Sequence, residues 1–224
     1  MKQDINPKDS SRAQAFELWM KSPMPMVTLT KTFDVTRLRR ESRRRGIRSA
    51  FGRLLPEGRK KFNLLLCWCI GKAASRMEEF YLLPEQGKLM KYDRLAINVI
   101  VNNKEGGINS CDIPYTEDLE KFRLDYMNLT QSAIIACQST YVDDAMVIGT
   151  SAMTETELDS IVNQYNDQFC NPMVMWGRYR KGWLRTTLPI SFQFHHVQMD
   201  GGHAARFLEE LQKTINTIYI YKIS

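Results

Sequence analysis

All three histidines of the 224-residue chain fall in one stretch, "FHHVQMDGGHAARF" at 194–207, as His195, His196 and His203. Imidazole titrates near neutrality, so it can take a proton from a hydroxyl or thiol and return it without extreme tuning. The residues leading in, "TLPISFQFHH", alternate as a strand does: Ile190, Phe192 and Phe194 share one side, and Ser191, Gln193 and His195 the other. His196 falls where that strand ends, just before Asp200-Gly201 and a helix start. A histidine leaving a strand end into a tight turn has a fixed backbone and lies close to solvent, which suits a general base. Only one of two adjacent histidines can point into a given site. Taken alone, the spacing also fits a packed and an exposed histidine flanking a helix cap at Asp200.

The elements that must hold this turn are mixed. A short helix is expected at 12–20, then a strand through "PMVTLTKTFD" ending at Asp34 as a helix cap, then a helix through the arginine-rich residues that follow. A largely buried helix is expected at 62–80, and strands at 88–93 and 95–103 with hairpin-like pairing between them. A helix at 116–135 takes Thr116 as its cap, with Leu119, Phe122, Tyr126 and Leu129 on one stripe. Strands are expected at 146–151, 173–180 and 185–195. A last helix begins near 202, with Ala204, Leu208, Leu211, Ile215 and Ile218 at spacings of three and four. The fold class is mixed α/β built on a sheet. No repeat or linker divides the chain, so one domain over 1–224 is expected.

Composition narrows the function classes. Hydrophobic residues are 43% of the chain and aromatics 10%, enough for a packed core. The longest apolar runs, such as "LLLCWCIGKAA" at 64–74, stop short of the ~20 residues of a membrane span. The N-terminal "MKQDINPKDSSRAQAF" lacks the apolar centre of a secretory signal, so the cytoplasm is the expected location. Five scattered cysteines read as reduced thiols, and the pair Cys67 and Cys69, around Trp68, reads as core packing; no metal site is expected. The net charge of +6 is concentrated in "RLRRESRRRGIR", where seven arginines occupy residues 37–48. Such a run either binds phosphates or forms a solvated face; no nucleic-acid-binding motif accompanies it, so nucleic acid is not an expected partner.

"HHVQMDGGHAARFLEELQ" resembles the signature of the chloramphenicol acetyltransferases: a strand ending in His-His, three residues to Asp-Gly, and a helix with His and Arg in its first turns. The likeness extends through "PMVMWGRYRKGWLRTTLPISFQFHH", "KTFDVTRL", "MEEF" with "GKLMKYD", and "EDLEKFRLDY", covering about Trp19 to Ile215. The resemblance implies a two-layer, mixed-sheet sandwich of the CoA-dependent acyltransferase type, and a homotrimer with active sites between subunits. It also implies acetyl transfer from acetyl-CoA, without a metal, to a hydroxyl of chloramphenicol or another small acceptor, and with it antibiotic resistance. Carried over, His196 is the general base and Ser151, in "GTSAMT", donates a hydrogen bond to the tetrahedral oxyanion. Asp200 anchors the turn through an ion pair with a basic residue of the N-terminal segment, matched at Lys21, and Gly201 fits where a side chain would obstruct the backbone. His195 and His203 are supporting residues. Arg178 and Lys181, with the arginine run, are candidate contacts for the phosphates of CoA.

The chain departs from the family at three places. A threonine that helps hold the intermediate is replaced by Met175. The loop after Ser151 is about two residues shorter, with Thr154 and Glu157 spaced as a capping box that predicts a helix start. An insertion around "GIRSAFGRLLPEGRK" alters one edge, and "SPMPMVTL" brings methionines where aromatics line the drug pocket. Two alternatives stay open: a dihydrolipoamide acyltransferase-like enzyme, and a non-catalytic trimer of the same fold that binds an anion.

Overall fold

The computed structural model describes residues 2–43, 59–166 and 168–218, and its elements follow the apolar periodicity of the chain. Strand β1 (Gln3–Ile5) and helix α1 (Ala13–Trp19) precede β2 (Met26–Asp34), α2 (Thr36–Arg43) and α3 (Arg59–Ala74). Then come β3 (Leu82–Glu85), β4 (Lys88–Lys91), β5 (Leu95–Asn102), β6 (Ile108–Pro114) and α4 (Leu119–Ala136). The last third holds β7 (Met146–Met153), β8 (Met173–Gly177), β9 (Arg180–Lys181), β10 (Thr186–His195) and α5 (Gly201–Thr217).

The main sheet has the order β2-β10-β8-β7-β5-β6, with β9 paired to β10. It is mixed: β5–β7 and β7–β8 run parallel, while β8–β10, β10–β2 and β5–β6 are antiparallel. Strand alternation sends Ile190, Phe192, Phe194, Val174, Trp176, Ile148, Ile97 and Val99 to one face, where they are buried. Helices α3, α4 and α5 pack against that face, giving two layers. Residues Ala204, Leu208, Leu211, Ile215 and Ile218 are buried, as their spacing predicts, together with Phe207. Phe207 meets Phe80 and Phe192 with ring centroids 4.7 and 4.6 Å apart. Each such ring contributes about 1.5–3 kcal/mol by burial, and a tilted pair adds about 0.5–1.5 kcal/mol. Cys67 and Cys69 are buried in α3, where desolvation pushes the Cys67 thiol up to about 12. Among the described residues no helix is long and apolar enough to cross a membrane.

A three-stranded sheet, β1-β4-β3, stands apart from the main one. A small apolar cluster of Leu82, Leu89 and Val197 receives Ile5, Phe16, Trp19 and Met20. This cluster locks α1 beneath the turn that carries the histidines.

Several local expectations are revised. The hairpin between 88–93 and 95–103 does not form: β4 pairs with β1 and β3, and β5 with β6 and β7. Alternation states which face a strand buries, not which strand lies beside it. The buried helix of 62–80 ends at Ala74, and Glu78–Tyr81 form a separate helical turn. The cap of α4 is Asp118, whose Oδ1 accepts the N–H groups of Glu120 (2.9 Å) and Lys121 (3.2 Å), while the Thr116 hydroxyl accepts from Asp118 N–H. No helix starts at Thr154; Glu157 faces Arg178 and Arg180 instead, at 3.8 and 3.7 Å. Strand β6, rich in polar residues, carried no periodic signal. The second half of the arginine run and most of the insertion at 46–60 lie outside the described residues.

Candidate active site

His195 is the last residue of β10 and pairs with Met26. Its side chain is 1% exposed and its Nδ1 accepts the Val197 N–H at 3.1 Å. Burial, with the adjacent His196 adding to it, pushes His195 down to about 4. It is neutral at physiological pH and committed to the turn.

His196 differs in every respect. Its backbone is pinned, N–H to the Pro25 carbonyl (2.8 Å) and C=O to the Arg12 guanidinium (2.9 Å). Its ring stacks on Trp19 with centroids 4.6 Å apart and planes 12° from parallel. The ring is half-buried, and Nδ1 is buried without a hydrogen-bond partner among the described residues. A stacked, backbone-pinned imidazole holds its orientation, which suits proton transfer to and from a ligand.

The turn is clamped by Arg12, which is 4% exposed. Its Nε donates to the Val197 carbonyl (2.9 Å), one terminal nitrogen to His196 and the other to Asp200 Oδ2 (3.2 Å). The planar fork thus grips both sides of the turn. Asp200 in turn caps α5, its Oδ1 accepting from Gly202 N–H (3.0 Å) and His203 N–H (3.2 Å), while its own N–H donates to His203 Nδ1. Partial burial opposes the Asp200 charge, but the His203 N–H and the Arg12 guanidinium hold its carboxyl below the usual range. Behind it, buried Glu79 faces His203 Nε2 at 3.0 Å and Arg206 at 2.7 Å.

Two sequence expectations change here. The N-terminal partner of Asp200 is Arg12, and Lys21 is exposed just past α1. Arg12 immediately precedes α1, two helical turns before Trp19, so the helix whose end stacks on His196 delivers the guanidinium with its start. Gly201 does not relieve a clash: a Cβ there meets open space, and its backbone is not left-handed. It is the exposed first residue of α5.

Ser151 lies elsewhere on the sheet. It pairs with Met175 on β8, which pairs with Ser191 on β10. His196 is five residues beyond Ser191, so two strand spacings of ~4.8 Å and five rises of ~3.3 Å put the two about 19 Å apart in one chain. Met175 is buried directly beside Ser151 and offers no donor. Arg178 and Lys181, both exposed, belong to the Ser151 end: Gly177, just before Arg178, pairs with Met153.

Between these ends, on the sheet face opposite the helices, is a cavity of about 460 Å³ lined by Met26, Asn98, Asp112, Gly149, Met173 and Gln193 among others. Its outer wall is the segment after β7, tethered across β10 by Ile161 N–H to Ser191 Oγ (2.8 Å) and Gln193 Nε2 to the Asn163 carbonyl (3.0 Å). Gly149 lies at its floor, where a Cβ would force the flexible Met173 thioether aside. Sequence reasoning missed this cavity, since its residues come from six strands and two connecting segments.

The family model described as chloramphenicol acetyltransferase matches residues 3–212. Chloramphenicol acetyltransferase 3 of Escherichia coli is 23% identical over 218 residues, covering 94% of this chain and 95% of that protein. A chloramphenicol acetyltransferase of Clostridium perfringens is 25% identical over 215 residues, covering 93% and 92%. A solved chloramphenicol acetyltransferase superposes with a TM-score of 0.76 at 21% identity, covering 96% of this chain and all of that one. A probable dihydrolipoamide acetyltransferase of Listeria monocytogenes 4b F2365 has the same fold, with a TM-score of 0.68 at 12% identity and coverage of 98% and 97%. A mixed sheet layered with helices, a clamped histidine turn at its edge and a match over nearly the whole length lead to one assignment: the chain belongs to the chloramphenicol acetyltransferase family of acyltransferases.

Proposed function

We propose that the protein is an acetyl-CoA-dependent O-acetyltransferase that works as a homotrimer, with each site built between two copies of the chain. The observation that carries this reading is the half-buried ring of His196, fixed at a strand end by Arg12, the Pro25 carbonyl and the stacked Trp19. In the proposed reaction the imidazole of His196 takes the proton of the acceptor hydroxyl, and the oxygen attacks the thioester carbonyl of acetyl-CoA. Ser151 of a neighbouring copy donates its hydroxyl hydrogen to the tetrahedral oxyanion. Collapse releases the CoA thiolate, which recovers the proton from the imidazolium. The separation of Ser151 from His196 within one chain supports the shared site. Arg178 and Lys181, exposed at the Ser151 end, suit the phosphates of CoA. The acceptor is chloramphenicol or another small alcohol held in the cavity next to the strand end.

The test is thiol release from acetyl-CoA with chloramphenicol and a panel of alcohols. His196→Ala is expected to lower the rate by about two to four orders of magnitude, the range for a lost general base. Thiol release that is absent for every acceptor, or indifferent to His196, overturns the enzymatic reading and favours a non-catalytic anion-binding trimer.

A further inference from the structure

We infer that the cavity selects an acceptor carrying a protonated amine beside its hydroxyl, with Asp112 as the counter-ion; this rests on the acetyltransfer reading above. Asp112 sits on β6 directly opposite Asn98 on β5 and is 4% exposed, yet it lines the cavity. Its Oδ1 accepts from Asn98 Nδ2 at 2.7 Å and its Oδ2 from the Val142 N–H at 3.2 Å. A carboxylate offers about four acceptor positions, so about two stay open. Among the described residues no basic side chain forms an ion pair with it. A buried carboxylate whose charge meets only two neutral donors is short of compensation, and a cation from the ligand supplies it.

The rest of the lining points the same way. Gln193 gives its NH2 group to the Asn163 carbonyl, and Asn171 gives its own to the Val147 carbonyl at 2.9 Å. Asn98 gives its NH2 group to both Ser110 Oγ (2.6 Å) and Asp112. These three amides thus turn N–H donors toward protein atoms, and the amide oxygens of Gln193 and Asn171 receive no hydrogen bond from the described residues. The open acceptor positions of Asp112, Gln193 and Asn171 suit a ligand that donates, such as an amino alcohol. Met26 and Met173 give it an apolar side for a hydrocarbon or aromatic body.

A matched pair of probes isolates the charge: 2-amino-1-phenyl-1,3-propanediol, protonated at neutral pH, and its neutral N-acetyl derivative, with the same hydroxyls. Calorimetric binding to the full-length protein, without acetyl-CoA, reads the pocket independently of turnover. The amine is expected to bind at least about tenfold more tightly than the amide, the scale of one charge-assisted hydrogen bond. Asp112→Asn should abolish that preference while leaving the affinity for the neutral probe within about twofold. Asn98 can rotate its amide to face an asparagine, and Ser110 can turn its hydroxyl to match, so the variant keeps its network. Asp112→Ser, smaller and neutral, should lose the preference too. Equal affinity of the two probes for the wild type, or a preference that survives in both variants, overturns the inference. The proposed function fails separately, if the bound amine accepts no acetyl group in a His196-dependent reaction.

Discussion

Arg12 and Asp200, 188 residues apart in sequence, meet at 3.2 Å, and the same guanidinium holds the carbonyls of His196 and Val197. One side chain therefore sets both the position of the histidine and the start of α5. Because Asp200 is half exposed, the ion pair itself contributes little; the two buried backbone acceptors matter more. Arg12→Ala is expected to cost on the order of 3 kcal/mol in chemical denaturation, since unpaired buried acceptors cost about 1–3 kcal/mol each. Arg12→Lys should retain part of the stability and lose most of the activity, because an ammonium cannot span three acceptors. Lys21→Ala should change neither quantity.

The distance between Ser151 and His196 makes a mixing experiment decisive. Ser151→Ala and His196→Ala should each be nearly inactive alone. Co-expressed in equal amounts, they should recover about a quarter of the wild-type rate, because random closed rings give one site in four an intact histidine from one copy and an intact serine from the next. No recovery in a verified mixed oligomer would mean that the site does not draw these residues from different chains.

The pH dependence of stability follows from His195. Its folded pKa of about 4 lies below the ordinary imidazole value of 6.5, so the unfolded chain binds a proton that the folded chain refuses between these pH values. Stability should therefore be complete above pH ~6.5 and fall as the pH drops toward 4, by on the order of 3 kcal/mol. Asp200, lowered from its usual value, adds a further loss only below pH ~4, as it becomes protonated. Denaturant midpoints measured from pH 4 to 7.5 for the wild type and His195→Asn test this. The asparagine can still accept the Val197 N–H, and its profile should be flat between pH 4.5 and 6.5.

Two glycines should respond in opposite ways. Gly201→Ala meets open space at an exposed helix start, so melting temperature should stay level or rise slightly. Gly149→Ala forces the Met173 thioether aside at the cavity floor, costing about 1–3 kcal/mol and weakening acceptor binding. Thermal melts of both variants, with binding of the phenylpropanediol probes, make the comparison.

By itself the sequence determined what depends on short-range periodicity and local chemistry. The alternation of β10, the apolar stripe of α5 and the passage from His196 to a helix start at Asp200 are all legible, because strand, helix and cap each need only a few neighbouring residues. The same local signals misled at the cap of α4, expected at Thr116 where Asp118 serves, and where a capping spacing at Thr154 met Glu157 side-chain demands from Arg178 and Arg180. Tertiary structure alone decided which strand lies beside β5, that Arg12 and not Lys21 reaches Asp200, and that Ser151 stands about 19 Å from His196 in the same chain. It also decided that Asp112 faces a cavity instead of solvent. Strand parity names a face but no partner, and a long cationic side chain finds its carboxylate through the packing of the helix that carries it. Those relationships exist only once Trp19, Val197, Leu82 and Leu89 have closed around the turn.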